Sequence, residues 1–303
     1  MTSAFDVQTE DGQRACLAVA LDVAREAAQL VFSGWRKTLR VEHKGPIDLV
    51  TDFDKASEVL VRKRLHERTP FAVVGEEGGA DPLVPGEVAA SGAGAAHGAG
   101  AARGAGAARG AANEPLWYVD PIDGTTNFVH GHPFFCVSIG LVVKGMPLLG
   151  AVVAPALRCE WTGIAGRFAT RNGEPCEVSR VASFGESLLA TGFPYDRRVS
   201  ADNNFDAFVA IKKKCQAVRR CGSAAMDLCL VAEGTYDGYW ERKLNPWDIS
   251  GGAAIVLGAG GRVTNYRGST ENLLGGELIA TNGKIHDDLI EELARVHGAG
   301  RTT

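Results

Sequence analysis

Leu17, Leu21, Ala24, Ala28 and Val31 recur at steps of four, three, four and three. That is the stripe of a long amphipathic helix, and Gly34 is placed to end it. Residues 54–67 predict a second helix, and PFAVVG at 70–75 predicts a short strand that stops at Gly75. The pattern resumes with PLWYVD at 115–120, a strand. Apolar runs around 134–143 and 147–154 then pair as a hairpin about a turn near Lys144-Gly145. Shorter strand-like runs lie around 159–164 and 168–170. From about 185 strand and helix alternate: SLLATG, a helix over 201–213, a strand at 216–219, a helix over 223–233 and the strand YDGYWE. A helix over 248–259, the strands GGRVTN and ELIATN, and a closing helix over 284–297 follow. The expected fold class is α/β in layers, with an α+β N-terminal half and an α/β C-terminal half.

Between the two blocks the composition breaks. Residues 92–109 read GAGAAH-GAGAAR-GAGAAR, three copies of a six-residue unit. Gly and Ala with almost no large apolar residue bury too little surface to offset ordering entropy. The expectation is one domain over 1–303 carrying a flexible insertion at about 79–114, which a fold tolerates because loop-closure entropy grows only logarithmically.

A net charge of −4 disfavours a phosphate-backbone partner, which clustered Lys and Arg would bind. No apolar stretch approaches the ~20 residues of a membrane span. The opening MTSAFDVQTEDGQRAC has no apolar signal-peptide core. Seven cysteines are scattered without a Cys-x-x-Cys pair, which argues against a zinc knuckle or dithiol site and fits a reducing cytoplasm. Cys221 and Cys229 fall on a stretch read as helical.

The acids carry the chemical signal, because they cluster at element boundaries. Glu76 and Glu77 follow a strand, Asp120 ends another, Asp123 lies three residues on, and Asp248 stands at a helix start. Carboxylates that converge at strand ends repel one another and require a cation. All-oxygen ligation suits Mg²⁺ or Mn²⁺ rather than zinc. In DPIDGTTNF, Pro121 fixes the turn after the strand, Gly124 permits close backbone approach, and Thr125 and Thr126 open a helical turn whose N–H groups attract an anion. Thr51-x-x-Asp54 fits a capping box, a role compatible with a carboxylate aimed into a cleft. Asp248 alone reads equally as an N-cap, Glu241 as a surface strand residue and Lys44 as solvated surface.

Four motifs in order, KGPIDLVTDFD at 44–54, VVGEE at 73–77, WYVDPIDGTTNF at 117–128 and NPWDISGGAAIVLGAGG at 245–261, make the chain resemble the inositol monophosphatase family. These are Mg²⁺-dependent, lithium-sensitive phosphatases. The resemblance implies a layered α-β-α-β-α sandwich and a usually dimeric enzyme. It implies two or three Mg²⁺ ions, replaceable by Mn²⁺, held by Glu76, Asp120, the carbonyl of Ile122, Asp123 and Asp248. Phosphate would sit on the backbone amides of Gly124 and Thr125, with Asp123 also among the substrate contacts. Asp54 and Thr125, with Glu76, would activate water, and Lys44 would balance the acidic pocket.

RRCGSAAMDLCLVAEG at 219–234 and Glu241, seven residues before Asp248, resemble the inositol branch, with Ala224 and Glu241 facing the polyol. The expected reaction is hydrolysis of myo-inositol 1-phosphate. The same chemistry on fructose 1,6-bisphosphate or another polyol phosphate stays open, since Arg242 and Lys243 beside Glu241 suit a more anionic ester. So does a role as an interaction protein with RNA-related partners.

Overall fold

The computed structural model describes residues 4–80 and 114–299. The insertion expected at about 79–114 lies outside them except at its ends, where Gly79 and Ala80 form a short strand rather than loop.

Seven helices and two large sheets make up the described residues. The helices are α1 (Glu10–Gly34), α2 (Asp52–Arg68), α3 (Thr125–Val129), α4 (Phe205–Lys212), α5 (Ala224–Ala232), α6 (Pro246–Gly258) and α7 (His286–Ala299). A small hairpin pairs β1 (Val41–His43) with β2 (Leu49–Thr51). The first sheet holds β3 (Ala72–Gly75), β4 (Gly79–Ala80), β5 (Leu116–Asp123), β6 (Cys136–Val143), β7 (Met146–Ala154), β8 (Cys159–Ile164), β9 (Phe168–Arg171) and β10 (Glu174–Pro175). Their spatial order is β10-β9-β8-β7-β6-β5-β3-β4, antiparallel except between β3 and β5. The second sheet holds β11 (Leu188–Thr191), β12 (Ala217–Arg219), β13 (Gly238–Arg242), β14 (Arg262–Thr264) and β15 (Glu277–Thr281), ordered β12-β11-β13-β15-β14. Only β12-β11-β13 is parallel, so the alternating C-terminal half builds a mixed sheet.

The layers are those of an α-β-α-β-α sandwich. Helices α1 and α2 cover one face of the first sheet, α5 and α6 fill the space between the sheets, and α4 and α7 cover the far face of the second. Strand β6 shows why its sequence is apolar on successive residues. Val137, Ile139 and Leu141 enter the core under α1, while Cys136 enters the core shared with α5 and α6. A strand buried on both faces needs no polar alternation. Helix α6 lies directly on this sheet: a Cβ on Gly150 would sit 2.2 Å from the carbonyl oxygen of Gly251. The same helix also packs against β5.

Three expected boundaries move. Strand β5 continues through Pro121 to Asp123, because Asp123 still pairs with Cys136 across an irregularity in the ladder. Helix α6 begins at Pro246, two residues before Asp248. Helix α4 starts only at Phe205, after Asn204 in a left-handed conformation. Cys221 precedes α5 rather than lying on it, while Cys229 is buried within that helix.

His286 opens α7 and is fully buried between the hydroxyls of Thr264 and Thr281, each 2.8 Å from a ring nitrogen. Burial, then the Arg262 guanidinium, hold its pKa down to about 4 from 6.5. An imidazole kept neutral in the fold takes a proton more readily once unfolded. Its contribution is therefore complete above pH 6.5 and lost as the pH falls toward 4, about 3 kcal/mol in full. The stability advantage of wild type over His286→Asn at pH 7.5, measured by urea unfolding, should shrink by about 2–3 kcal/mol at pH 4.5. A constant gap would contradict this account.

Candidate active site

The site begins with a helix cap. Thr51 Oγ1 accepts from the amides of Phe53 and Asp54, at 3.1 and 3.4 Å. Asp54 Oδ2 in turn accepts from the Thr51 amide and hydroxyl, at 2.7 and 2.6 Å. This capping box satisfies the start of α2 and fixes the fully buried Asp54 carboxylate. Its other oxygen, Oδ1, accepts from the Thr125 hydroxyl at 2.9 Å. Capping and aiming thus coexist in one side chain.

The end of β5 gathers the next groups. Asp120 Oδ1 accepts from the Ile122 amide at 3.0 Å, and the Ile122 carbonyl lies 3.0 Å from Thr125 Oγ1. Gly124 follows at φ +96°, a conformation that side chains resist, and reverses the chain into α3. Asp120, Ile122, Asp123 and Thr125 therefore share one bend.

Elements distant in sequence close on that bend. The Asp123 carboxylate accepts from Ser223 Oγ at 2.8 Å and from the amides of Ala225 at 2.6 Å and Ala224 at 3.3 Å. The first turn of α5 is thus turned onto Asp123, and the Ala224 amide serves that carboxylate. The Asp248 carboxylate accepts from the Asn245 amide at 2.6 Å. Asn245 is the N-cap of α6 and Asp248 its third helical residue, so Asp248 does not take the N-cap role that the residue alone left open. After β3, Glu58 accepts from the amides of Glu77 and Gly78, both at 2.7 Å, and shapes the turn. Lys44 Nζ then bridges Glu76 at 2.9 Å and Glu77 at 2.5 Å, inside the acidic pocket rather than on open surface.

These acids crowd one another. Burial first, and then Glu76, Asp123, Asp248 and Asp54, push the Asp120 carboxyl well above its ordinary range. Asp248 is raised by burial and by Glu76 and Asp123, with the Asn245 amide opposing. Glu76 is raised by burial against the pull of Lys44. Asp123 is raised by burial although the Ser223 hydroxyl and the α5 amides favour its charge. For Lys44, burial works against the ammonium, yet Glu76 and Glu77 outweigh it and its pKa is raised.

Among the described residues no three Asp, Glu, His or Cys side chains stand in ligating geometry. Each acid is instead held by a neighbour: Glu76 by Lys44, Asp123 by α5, Asp248 by Asn245. The donor set still suits a divalent cation. It is all oxygen and carries several negative charges in mutual repulsion, which only added positive charge relieves.

Glu241 lies near the end of β13. Glu241 accepts from the Tyr239 hydroxyl, and burial pushes its carboxyl up to about 7 while Tyr239 and Arg220 oppose. Gly192 passes directly over it: a Cβ there would lie 2.0 Å from the Glu241 carboxylate. The suggestion that Arg242 and Lys243 favour a more anionic ester is corrected. Arg242 pairs with Asp202 and Glu277, and Lys243 with Asp196, so both are engaged elsewhere. Ser223, Ala225, Glu58 and Tyr239 position the site without having been assigned that role from the sequence; Ser223 and Ala225 lie in the stretch 219–234 and Tyr239 in the strand before Glu241, whereas Glu58 carried no signal.

A family model described as the inositol monophosphatase family matches residues 13–298. An inositol-1-monophosphatase from Synechocystis sp. is 39% identical over 280 residues, covering 92% of this chain and 88% of the relative. A Nus factor, SuhB, from Pseudomonas aeruginosa is 36% identical over 279 residues, covering 90% and 94%. The solved inositol monophosphatase from Anabaena (Nostoc) sp. superposes with a TM-score of 0.77 at 36% identity, covering 93% of this chain and 96% of that one.

Proposed function

We propose that this chain, which belongs to the inositol monophosphatase family, hydrolyses inositol 1-phosphate to inositol and phosphate with Mg²⁺ as cofactor. The observation that supports this most is the bend at 120–125, which gathers two buried carboxylates, the Ile122 carbonyl and a hydroxyl leading to Asp54. Glu76, Asp120, Asp123, Asp248 and the Ile122 carbonyl would hold the ions. Bound Mg²⁺ would neutralise the phosphate dianion and acidify water.

The chain's own residues do the rest. The Thr125 hydroxyl gives its hydrogen to Asp54 Oδ1, so its lone pairs face the pocket and accept from a water. As that water attacks, its proton passes to Thr125 Oγ1 while the Thr125 hydrogen passes to Asp54 Oδ1, a carboxylate fixed by Thr51 as the proton acceptor. The amides of Gly124 and Thr125 hold phosphate oxygens. Lys44 would restrain Glu76 until the pocket fills. Glu241 accepts from ring hydroxyls, for which a carboxylate facing a vicinal diol is well suited.

The substrate is tested by phosphate release from inositol 1-phosphate and fructose 1,6-bisphosphate, each with wild type and Glu241→Gln. Inositol 1-phosphate should lead, and the variant should raise its KM about 10-fold, the worth of one charged hydrogen bond. A lead for the bisphosphate, or an unchanged KM, would contradict the assignment.

A further inference from the structure

The segment 192–204 joins β11 to α4 and runs beside Glu241. It is fastened on both sides of Tyr195. Before it, Gly192 lies against Glu241. After it, Asp196 accepts from Lys243 Nζ at 2.7 Å, and the same ammonium donates to Ser200 Oγ at 2.9 Å. Beneath it, Phe193 packs on Phe205 and Phe208, with ring centroids 5.0 and 5.6 Å away. The two ends of the tether, Glu241 and Lys243, are two residues apart on one strand end, so Tyr195 is held where β13 delivers Glu241 to the pocket.

Tyr195 is nonetheless 57% exposed. Its phenol lies in electrostatic reach of Asp48, Glu76, Asp123 and Asp248, which come from the β1–β2 turn, the turn after β3, the end of β5 and the first turn of α6. Three of these four carboxylates belong to the acidic set described above. Its hydroxyl makes no hydrogen bond with the described residues. A tethered loop thus presents an aromatic face and an unused donor over a pocket lined with acceptors.

We infer that Tyr195 is a specificity-determining residue that covers the ring of a cyclic polyol phosphate and donates its hydroxyl to a substrate oxygen. This rests on the phosphatase reading of the same site. The acidic lining supplies acceptors in excess, and a phosphate ester brings more; a neutral phenol O–H supplies a donor without altering the charge. The C–H face of a saturated ring meets the aromatic face, while an acyclic ester offers no such face.

The test compares wild type, Tyr195→Phe and Tyr195→Ala on inositol 1-phosphate and on glycerol 2-phosphate, with Mg²⁺ present. Tyr195→Ala should raise KM for inositol 1-phosphate about 10-fold, with kcat changed less than about 2-fold, and leave kcat/KM for glycerol 2-phosphate within about 2-fold. Tyr195→Phe should raise KM about 3-fold, keeping the ring contact and losing the donor. Unchanged KM in Tyr195→Ala, or equal losses on both esters, would overturn this inference while leaving the phosphatase reading intact. A wild type that hydrolyses neither ester would overturn both.

Discussion

Asp120→Asn is expected to stabilise the metal-free protein while removing at least about 1000-fold of its kcat/KM. Asp120 is 2% exposed and faces Glu76, Asp123, Asp248 and Asp54, all of like charge. Among the described residues its direct support is the Ile122 amide, which an Asn carbonyl accepts equally well. The substitution therefore removes a repelled buried charge and keeps the hydrogen bond, a change worth about 1–3 kcal/mol to the fold. The same charge is the one a cation requires, so Mg²⁺ should raise the melting temperature of wild type more than that of the variant. Thermal melts in chelator and in Mg²⁺, beside phosphate release, check both signs. A variant less stable in chelator, or one that keeps activity, would contradict the assignment of Asp120.

Asp54→Asn carries the second large effect. Asn Oδ1 can keep the bonds from the Thr51 amide and hydroxyl, so α2 should stay capped. The amide Nδ2 then faces Thr125 and donates where Asp54 accepted. The Thr125 hydroxyl reverses, its hydrogen turns toward the pocket, and water loses its acceptor. Removing a positioned proton acceptor costs about 10²–10⁴ in kcat. KM for the ester should change little, because Asp54 touches no phosphate-binding amide. Circular dichroism that matches wild type, with kcat down at least about 100-fold, is the expected pair of results. A large KM change at constant kcat would instead place Asp54 in substrate binding.

The local chemistry of this site was legible where it was written in one stretch. In DPIDGTTNF the helix start at Thr125 is enforced within a few residues and the structure holds it, while Gly124, read for close backbone approach, also takes the positive φ that reverses the chain. Thr51-x-x-Asp54 gave its capping box for the same reason. Contacts across long separations left no such trace. Nothing near Asp123 announces that Ser223 and Ala225, about a hundred residues on, hold its carboxylate. Lys44 taken alone reads equally as surface, and only the family resemblance pointed to the counter-charge it supplies once the turn after β3 brings Glu76 and Glu77 to it.

Element ends moved for tertiary reasons too. Pro121 argued for a turn, yet pairing of Asp123 with Cys136 carries β5 past it at a bulge. Pro246 occupies the first helical position of α6 under an Asn245 cap, which places Asp248 one turn inside rather than at the cap. Arg242 and Lys243 looked like readers of substrate charge because their acidic partners, Asp202, Glu277 and Asp196, lie on other elements.

The most direct measurement is phosphate release from inositol 1-phosphate by chelator-stripped protein, before and after Mg²⁺ is returned. Release near background in chelator, restored by Mg²⁺ in wild type and not in Asp120→Asn, is the result this account expects. Undiminished release in chelator would contradict the assignment of the acidic set to a cation. No release under either condition would contradict the phosphatase reading itself and favour an interaction role instead.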